Sequence, residues 1–129
     1  MTWELEAEEI QHLLALPAAE RAVTFVQVVV DWEEAWGLKD ATGLIVTRET
    51  NTMPLWPHAA FAEACARDAW ADTTPEPISL AELLEDLLPL LEEDGTGVAV
   101  FPTPGDAGTV MPPGELRERL ERELELGED

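Results

Sequence analysis

Ten prolines punctuate a chain of 129 residues and set where each element must stop, bend or begin. Proline has no amide hydrogen and clashes with the carbonyl four residues back, which confines it to first helical turns, loops and edge strands. Pro17 therefore ends a first helix, in which Thr2 is the candidate cap and Trp3, Ala7, Ile10, Leu13 and Leu14 share a face. The same proline opens a second helix, with Ala22, Phe25, Val26, Val29 and Val30 at i, i+3, i+4, i+7, i+8 spacing and an end near Asp31 or Glu33. Residues 28–30 are β-branched, but the helix formers Ala18, Ala19, Glu20 and Arg21 carry the helical period into them.

The period then falls to two. Residues 35–40 and 44–47 read as strands joined by a hairpin at Thr42-Gly43, and residues 53–56 as a third short strand leading into Pro57. A helix over 58–66 places Phe61 and Cys65 four apart, and residues 70–78, broken by Pro75 and Pro77, suit an irregular edge strand. Ser79-Leu80-Ala81-Glu82 is a capping box, and the helix behind it aligns Leu80, Leu83, Leu84, Leu87, Leu88 and Leu91 until Pro89 bends or ends it. A buried strand over 98–101, a turn at Pro102-Thr103-Pro104-Gly105 and a strand over 109–111 lead to a last helix opened by Pro112 and Pro113. Its stripe of Leu116, Leu120 and Leu124 docks on the chain's own sheet in preference to a second copy, with monomer and homodimer both left open. The result is an α+β single domain over 1–129, ordered ααβββαβαββα, with a mostly antiparallel sheet of five or six short strands covered by helices.

Charge excludes more than it assigns. Seven Lys and Arg face 28 Asp and Glu, a formal net charge of −21. Duplex binding draws its affinity from cations that neutralise phosphates, so no direct nucleic-acid binding is expected. A surface of this sign steers a basic protein partner or mimics phosphate spacing; mimicry requires the acids to lie along one ridge, and the plainest use is a solubilising surface. Cys65 is the one cysteine, which rules out an intrachain disulfide and fits a reducing, cytoplasmic compartment. The N-terminus does not read as a signal peptide, and the longest apolar stretch, 22–30, is shorter than the roughly 18 residues of a membrane span.

Candidate chemistry is sparse. Glu9-x-x-His12 is half of a di-iron spacing with no second copy, and His58 and Cys65, seven apart, lie about 10 Å apart along a helix, so no metal or other cofactor is expected. Ser79 serves as a cap, Cys65 as a small buried hydrophobe, and the glycines form no phosphate-binding loop. Five tryptophans and no tyrosine stand out. Core filling is the leading explanation for most of them, against an aromatic recognition surface at strand ends. The candidate ligand or partner residues are Trp36, Lys39, Asp40, Trp56, Pro57, His58, Trp70 and Phe101, with His58 neutral and hydrogen-bonding at a helix start. The leading expectation is a non-enzymatic interaction or regulatory module, immunity-like in kind. The alternatives are a small-ligand or enzymatic pocket built on Trp36, Trp56, His58 and the 101–105 loop, and a nucleic-acid mimic.

The stretch Asp31-Trp32-Glu33-Glu34-Ala35-Trp36-Gly37-Leu38-Lys39-Asp40 is followed by Leu55-Trp56-Pro57-His58 and Trp70-Ala71-Asp72, then by Ile78-Ser79-Leu80 and Val100-Phe101-Pro102-Thr103-Pro104. Together these segments resemble the bacterial family DUF2750 over nearly the whole chain. The resemblance implies a small cytoplasmic protein of unknown biochemical role, and it supplies no catalytic residues. The strand order and the Val-x-Val-Phe-Pro strand are also similar, at the level of fold, to the N-terminal half of the enhanced serine sensitivity protein family.

Overall fold

The computed structural model describes residues 6–67 and 70–127, so the cap at Thr2 and the packing of Trp3 lie outside the described residues. Helix α1 (Ala7–Leu14) and helix α2 (Ala18–Trp32) are separated by Pro17, which is the N-cap residue of α2. Glu33 closes α2 in the left-handed region at φ 55° and passes the chain directly into β1 (Glu34–Asp40). There follow β2 (Gly43–Leu44), β3 (Thr52–Leu55), α3 (Ala59–Cys65), β4 (Thr74–Ser79), α4 (80–94), β5 (Gly97–Val100), β6 (Thr109–Met111) and α5 (Pro113–Leu126). This is the α+β order read from the sequence.

The strands form two three-stranded sheets rather than one, ordered β2-β1-β4 and β3-β5-β6. Only β3 and β5 run parallel, with α3, β4 and α4 in the long crossover that a parallel pair requires. One antiparallel bridge joins the sheets: Trp36 and Trp56 exchange both backbone hydrogen bonds at 2.8 Å. The second strand is shorter than the expected 44–47 because Thr47 leaves β1 to bridge Thr52, across a turn that includes Asn51 at φ 53°. The edge strand begins at Thr74, since residues 70–73 close a turn in which Trp70 O accepts both the amide and the hydroxyl of Thr73. Because Trp36 bonds toward Trp56, its pairing with Pro77 is of the non-hydrogen-bonded kind. Pro75 and Pro77 therefore occupy the outward-facing amide positions of β4, where their missing donors cost nothing and blunt the edge. Gly37 is needed in β1 because a Cβ there would lie 2.8 Å from Leu44 Cδ2, which packs across it.

Helix α4 starts at the expected N-cap, with Ser79 Oγ accepting the Glu82 amide at 3.1 Å. Pro89 neither ends nor breaks it. Residues Leu83–Leu87 widen into a π turn in which Leu88 N–H reaches Leu83 O, and Pro89 enters the first turn of the following α segment, Leu88–Asp94. The longer hydrogen-bond step places the proline where its missing donor is tolerated. Gly95, at φ 71°, then caps the helix in the left-handed conformation.

One contiguous core joins these layers. Phe25 and Val29 of α2, Leu83 and Leu88 of α4, Leu116 and Leu120 of α5, and Leu38, Leu55, Val98 and Val100 of the sheets are buried, so the α5 stripe docks within its own chain. Complete burial of side chains this large contributes roughly 1.5–3 kcal/mol each against full exposure. Among the described residues, no helix is long and apolar enough to cross a membrane.

Candidate functional site

The chain leaves β5 through a strained residue. Phe101 has φ 52°, a conformation that costs a non-glycine residue about 1–2 kcal/mol. Its amide donates to Leu55 O at 2.8 Å, its carbonyl accepts Arg21 Nε at 3.0 Å, and its ring lies 4.8 Å from that of Phe61. Arg21 is only 3% exposed. Its Nη1 donates to Leu16 O at 2.6 Å, and its Nη2 lies 3.2 Å from Asp106 Oδ1, close enough for an ion pair but without the geometry of a hydrogen bond. Asp106 Oδ1 in turn accepts the Gly108 amide at 2.7 Å. Gly108 itself, at φ 82°, has no room for a Cβ, which would stand 2.6 Å from Val100 O. A buried cation on α2 thus pins both ends of the 101–106 loop.

The tryptophans fix the other side of that loop. Trp56 is fully buried, and its Nε1 donates to Pro102 O at 2.8 Å. The Cys65 thiol shares that carbonyl at 3.4 Å. Trp70 is half-buried and meets Trp56 edge to face at 6.0 Å. Burial pushes the Cys65 thiol pKa up, against the smaller opposing effects of Trp56, Arg67 and Arg21. Ser79 Oγ is spent on its helix cap, and His58 Nδ1 accepts the Ala60 amide at 3.0 Å. Ser79, Cys65 and His58 thus each hold a local structural contact.

Between the 103–107 loop and the outer face of β3 and β5 lies an open cavity of about 430 Å³. Thr52, Pro54 and Ala99 form its floor, because alternate residues of these strands face away from the core while Met53, Leu55, Val98 and Val100 face into it. Arg67 and Trp70 stand on one wall, and the hydroxyl of Thr50 meets that of Thr52 at 2.8 Å. The cavity can hold a small, mostly apolar molecule with a few hydroxyl contacts and one guanidinium within reach.

Of the eight residues singled out in the sequence, Trp70 alone lines this cavity. Trp56, Pro57 and Phe101 are buried behind it, and His58 caps α3 with its ring 6.3 Å from Phe61. Trp36 is half-buried at the junction of the sheets. Lys39 pairs with Glu76 at 3.2 Å, and Asp40 accepts the amide and hydroxyl of Thr42 at 2.8 and 2.7 Å to close the β1–β2 turn. Those bonds hold the Asp40 carboxyl pKa below its ordinary value. The 101–105 loop does border a pocket at strand ends, but Trp36, Trp56 and His58 stand outside its lining. Arg21, Arg67 and Asp106 were not singled out in the sequence. Arg21 carried a signal, since it precedes Phe25 and Val29 at spacing four and so belongs to the buried stripe.

The charged surface is a separate matter. Exposed carboxylates occur on α1, α2, α4 and α5 alike. Those of α5 include Glu115, paired with Arg119 at 3.2 Å, and Glu121, paired with Arg117 at 3.8 Å. The exposed acids of α1 and α2 make no ion pair among the described residues, and α4 carries the largest such set: Glu82, Glu85, Asp86, Glu92, Glu93 and Asp94 are all exposed and none is paired. No Lys or Arg occurs between Arg67 and Arg117. Among the described residues, no group of three or more His, Cys, Asp or Glu is placed to hold a metal ion.

A family model described as "Protein of unknown function (DUF2750)" matches residues 22–120. No curated protein and no solved structure matches the chain.

Proposed function

We infer that this chain, which belongs to the DUF2750 family, is a non-enzymatic interaction or regulatory module that binds a basic protein partner in the cytoplasm. The observation that carries this reading is the set of six unpaired carboxylates on α4, in a tract without a single Lys or Arg. Unneutralised charge concentrated on one element repels itself, and a cationic partner relieves that repulsion while being steered onto the surface. The spread of other acids over α1, α2 and α5 gives a nucleic-acid mimic no single ridge to rest on. The buried, protonated Cys65 accords with a reducing compartment. The test replaces the six α4 carboxylates by their amides and compares capture of cytoplasmic proteins with a variant neutralised at Glu6, Glu8 and Glu9. A basic protein held by the wild type and by the α1 variant, and lost with the α4 variant, supports the reading. Equal retention by all three overturns it.

A second reading rests on the cavity beside Trp70 and Arg67. A small molecule that co-purifies with the wild type and is lost in Trp70→Ala, with folding intact, would favour a ligand-binding role.

A further inference from the structure

Helix α4 leaves leucines uncovered, Leu87 of its apolar stripe and Leu90 outside that stripe. Leu90 is 52% exposed and Leu87 partly so. With Leu44 of β2 and with Pro77 and Ile78 of β4, they line a groove of about 240 Å³ between the helix and the β2-β1-β4 sheet. Three carboxylates stand on its rim. Glu76 is already matched by Lys39, 3.2 Å away, whereas Glu82 and Asp86 face the groove unpaired. The π turn over Leu83–Leu87 carries Asp86 and Leu87 at this point, and Gly37 supplies the space in which Leu44 lies across the sheet. The groove therefore combines an apolar floor with a rim of uncompensated negative charge.

From this arrangement we propose that the groove between α4 and β4 is the docking site of a basic amphipathic segment of a partner protein, taking apolar side chains between Leu44, Leu87 and Leu90 and cations against Glu82 and Asp86. The inference rests on the acidic-module reading and names the surface and the chemistry that reading would use. Charge complementarity selects the occupant. A second copy of this chain would bring another acidic rim against the first, and an anionic or membrane surface would be repelled. A strand added to the β4 edge is also disfavoured, because Pro75 and Pro77 leave it short of donors. The occupant is accordingly read as a helix or turn carrying i, i+4 apolar anchors with lysines or arginines beside them.

The test uses two synthetic 16-residue peptides of equal positive charge, one amphipathic with leucines on one face and the other with serines in their place. Both are titrated into the full chain by calorimetry, with amide chemical shifts recorded. The amphipathic peptide should bind about tenfold more tightly and perturb amides around Leu44, Ile78, Leu87 and Leu90. Leu90→Ser should weaken it about fivefold, since roughly half a leucine is left to bury. Glu82→Gln with Asp86→Asn should lower the affinity for both peptides and flatten its dependence on salt, whereas Glu8→Gln with Glu9→Gln should not. If both peptides bind equally and no groove variant matters, the groove is refuted while the acidic module stands. If neither peptide binds, the acidic-module reading falls as well. A concentration-dependent dimer that Leu90→Ser abolishes would assign the groove to self-association and overturn the proposal.

Discussion

Replacing Arg21 by methionine tests how a buried cation holds the loop that borders the cavity. Methionine keeps much of the stem's volume and removes three polar contacts: Nε to Phe101 O at 3.0 Å, Nη1 to Leu16 O at 2.6 Å, and the approach of Nη2 to Asp106 at 3.2 Å. The first two are hydrogen bonds from a charged donor, each contributing roughly 1.5–3 kcal/mol. The third involves a carboxylate that is 47% exposed, and it contributes about 0–1 kcal/mol. Part of the gross loss returns because a buried charge no longer has to be desolvated. The net cost should be about 3 kcal/mol, concentrated at Phe101 O, which holds the strained φ of 52° in place. In urea, with a slope of about 2 kcal/mol/M for a chain of this size, the midpoint falls by about 1.5 M. Asp106→Asn is the control, since asparagine keeps an oxygen for the Gly108 amide and loses only the charge. It should cost less than about 1 kcal/mol. Equal costs for the two variants, or an Arg21→Met midpoint within experimental error of wild type, would refute the assignment of the effect to the two carbonyls.

Trp56→Phe should cost about 2–3 kcal/mol by removing the indole donor from Pro102 O and opening a gap in the core, read as a lower melting temperature. Gly108→Ala should destabilise more than Gly37→Ala. The methyl at 108 meets the Val100 carbonyl at 2.6 Å and φ is 82°, whereas the methyl at 37 meets the movable end of Leu44, so the two urea midpoints should rank in that order. Cys65 should resist iodoacetamide at pH 8 in the native state and react once unfolded. Its thiol pKa is raised by burial, so the stabilisation is complete below the ordinary value of 9.0 and declines as pH climbs from there toward the folded value. A Cys65→Ala variant with the same alkaline decline would refute that linkage.

What was legible in the sequence was local. The capping box at Ser79 and the prolines at 17, 75, 77, 112 and 113 each act through neighbours within a turn, so the order of elements followed from them, whereas the left-handed Glu33 that ends α2 had no sequence signal. Pro89 marked a disturbance correctly, but its resolution as a π turn depended on packing that no single residue announces. The division into two sheets depends on one bridge between Trp36 and Trp56, twenty positions apart, and periodicity carries no information about that pairing. The cavity is more distant still. It needs Arg21 to reach Phe101, eighty residues along, and Trp56 to reach Pro102, forty-six along. Lys39 and Asp40 stood among the candidate binding residues of the sequence, yet their bonds to Glu76 and Thr42 are those of a sheet edge and a tight turn. The apolar face of α4 was visible as a leucine stripe, but Leu90 lay outside it, and its place beside Leu87 in the groove was settled by where β4 ran.

The most direct test of the acidic-module account is native mass spectrometry of the protein drawn from cells of its source organism, with protein and small-molecule companions weighed across a salt series. The account predicts a stoichiometric companion of basic isoelectric point, retained at about 0.05 M salt and lost by about 0.3 M as the Debye length contracts. A bare chain at low salt, or a small molecule retained without any protein, would contradict it.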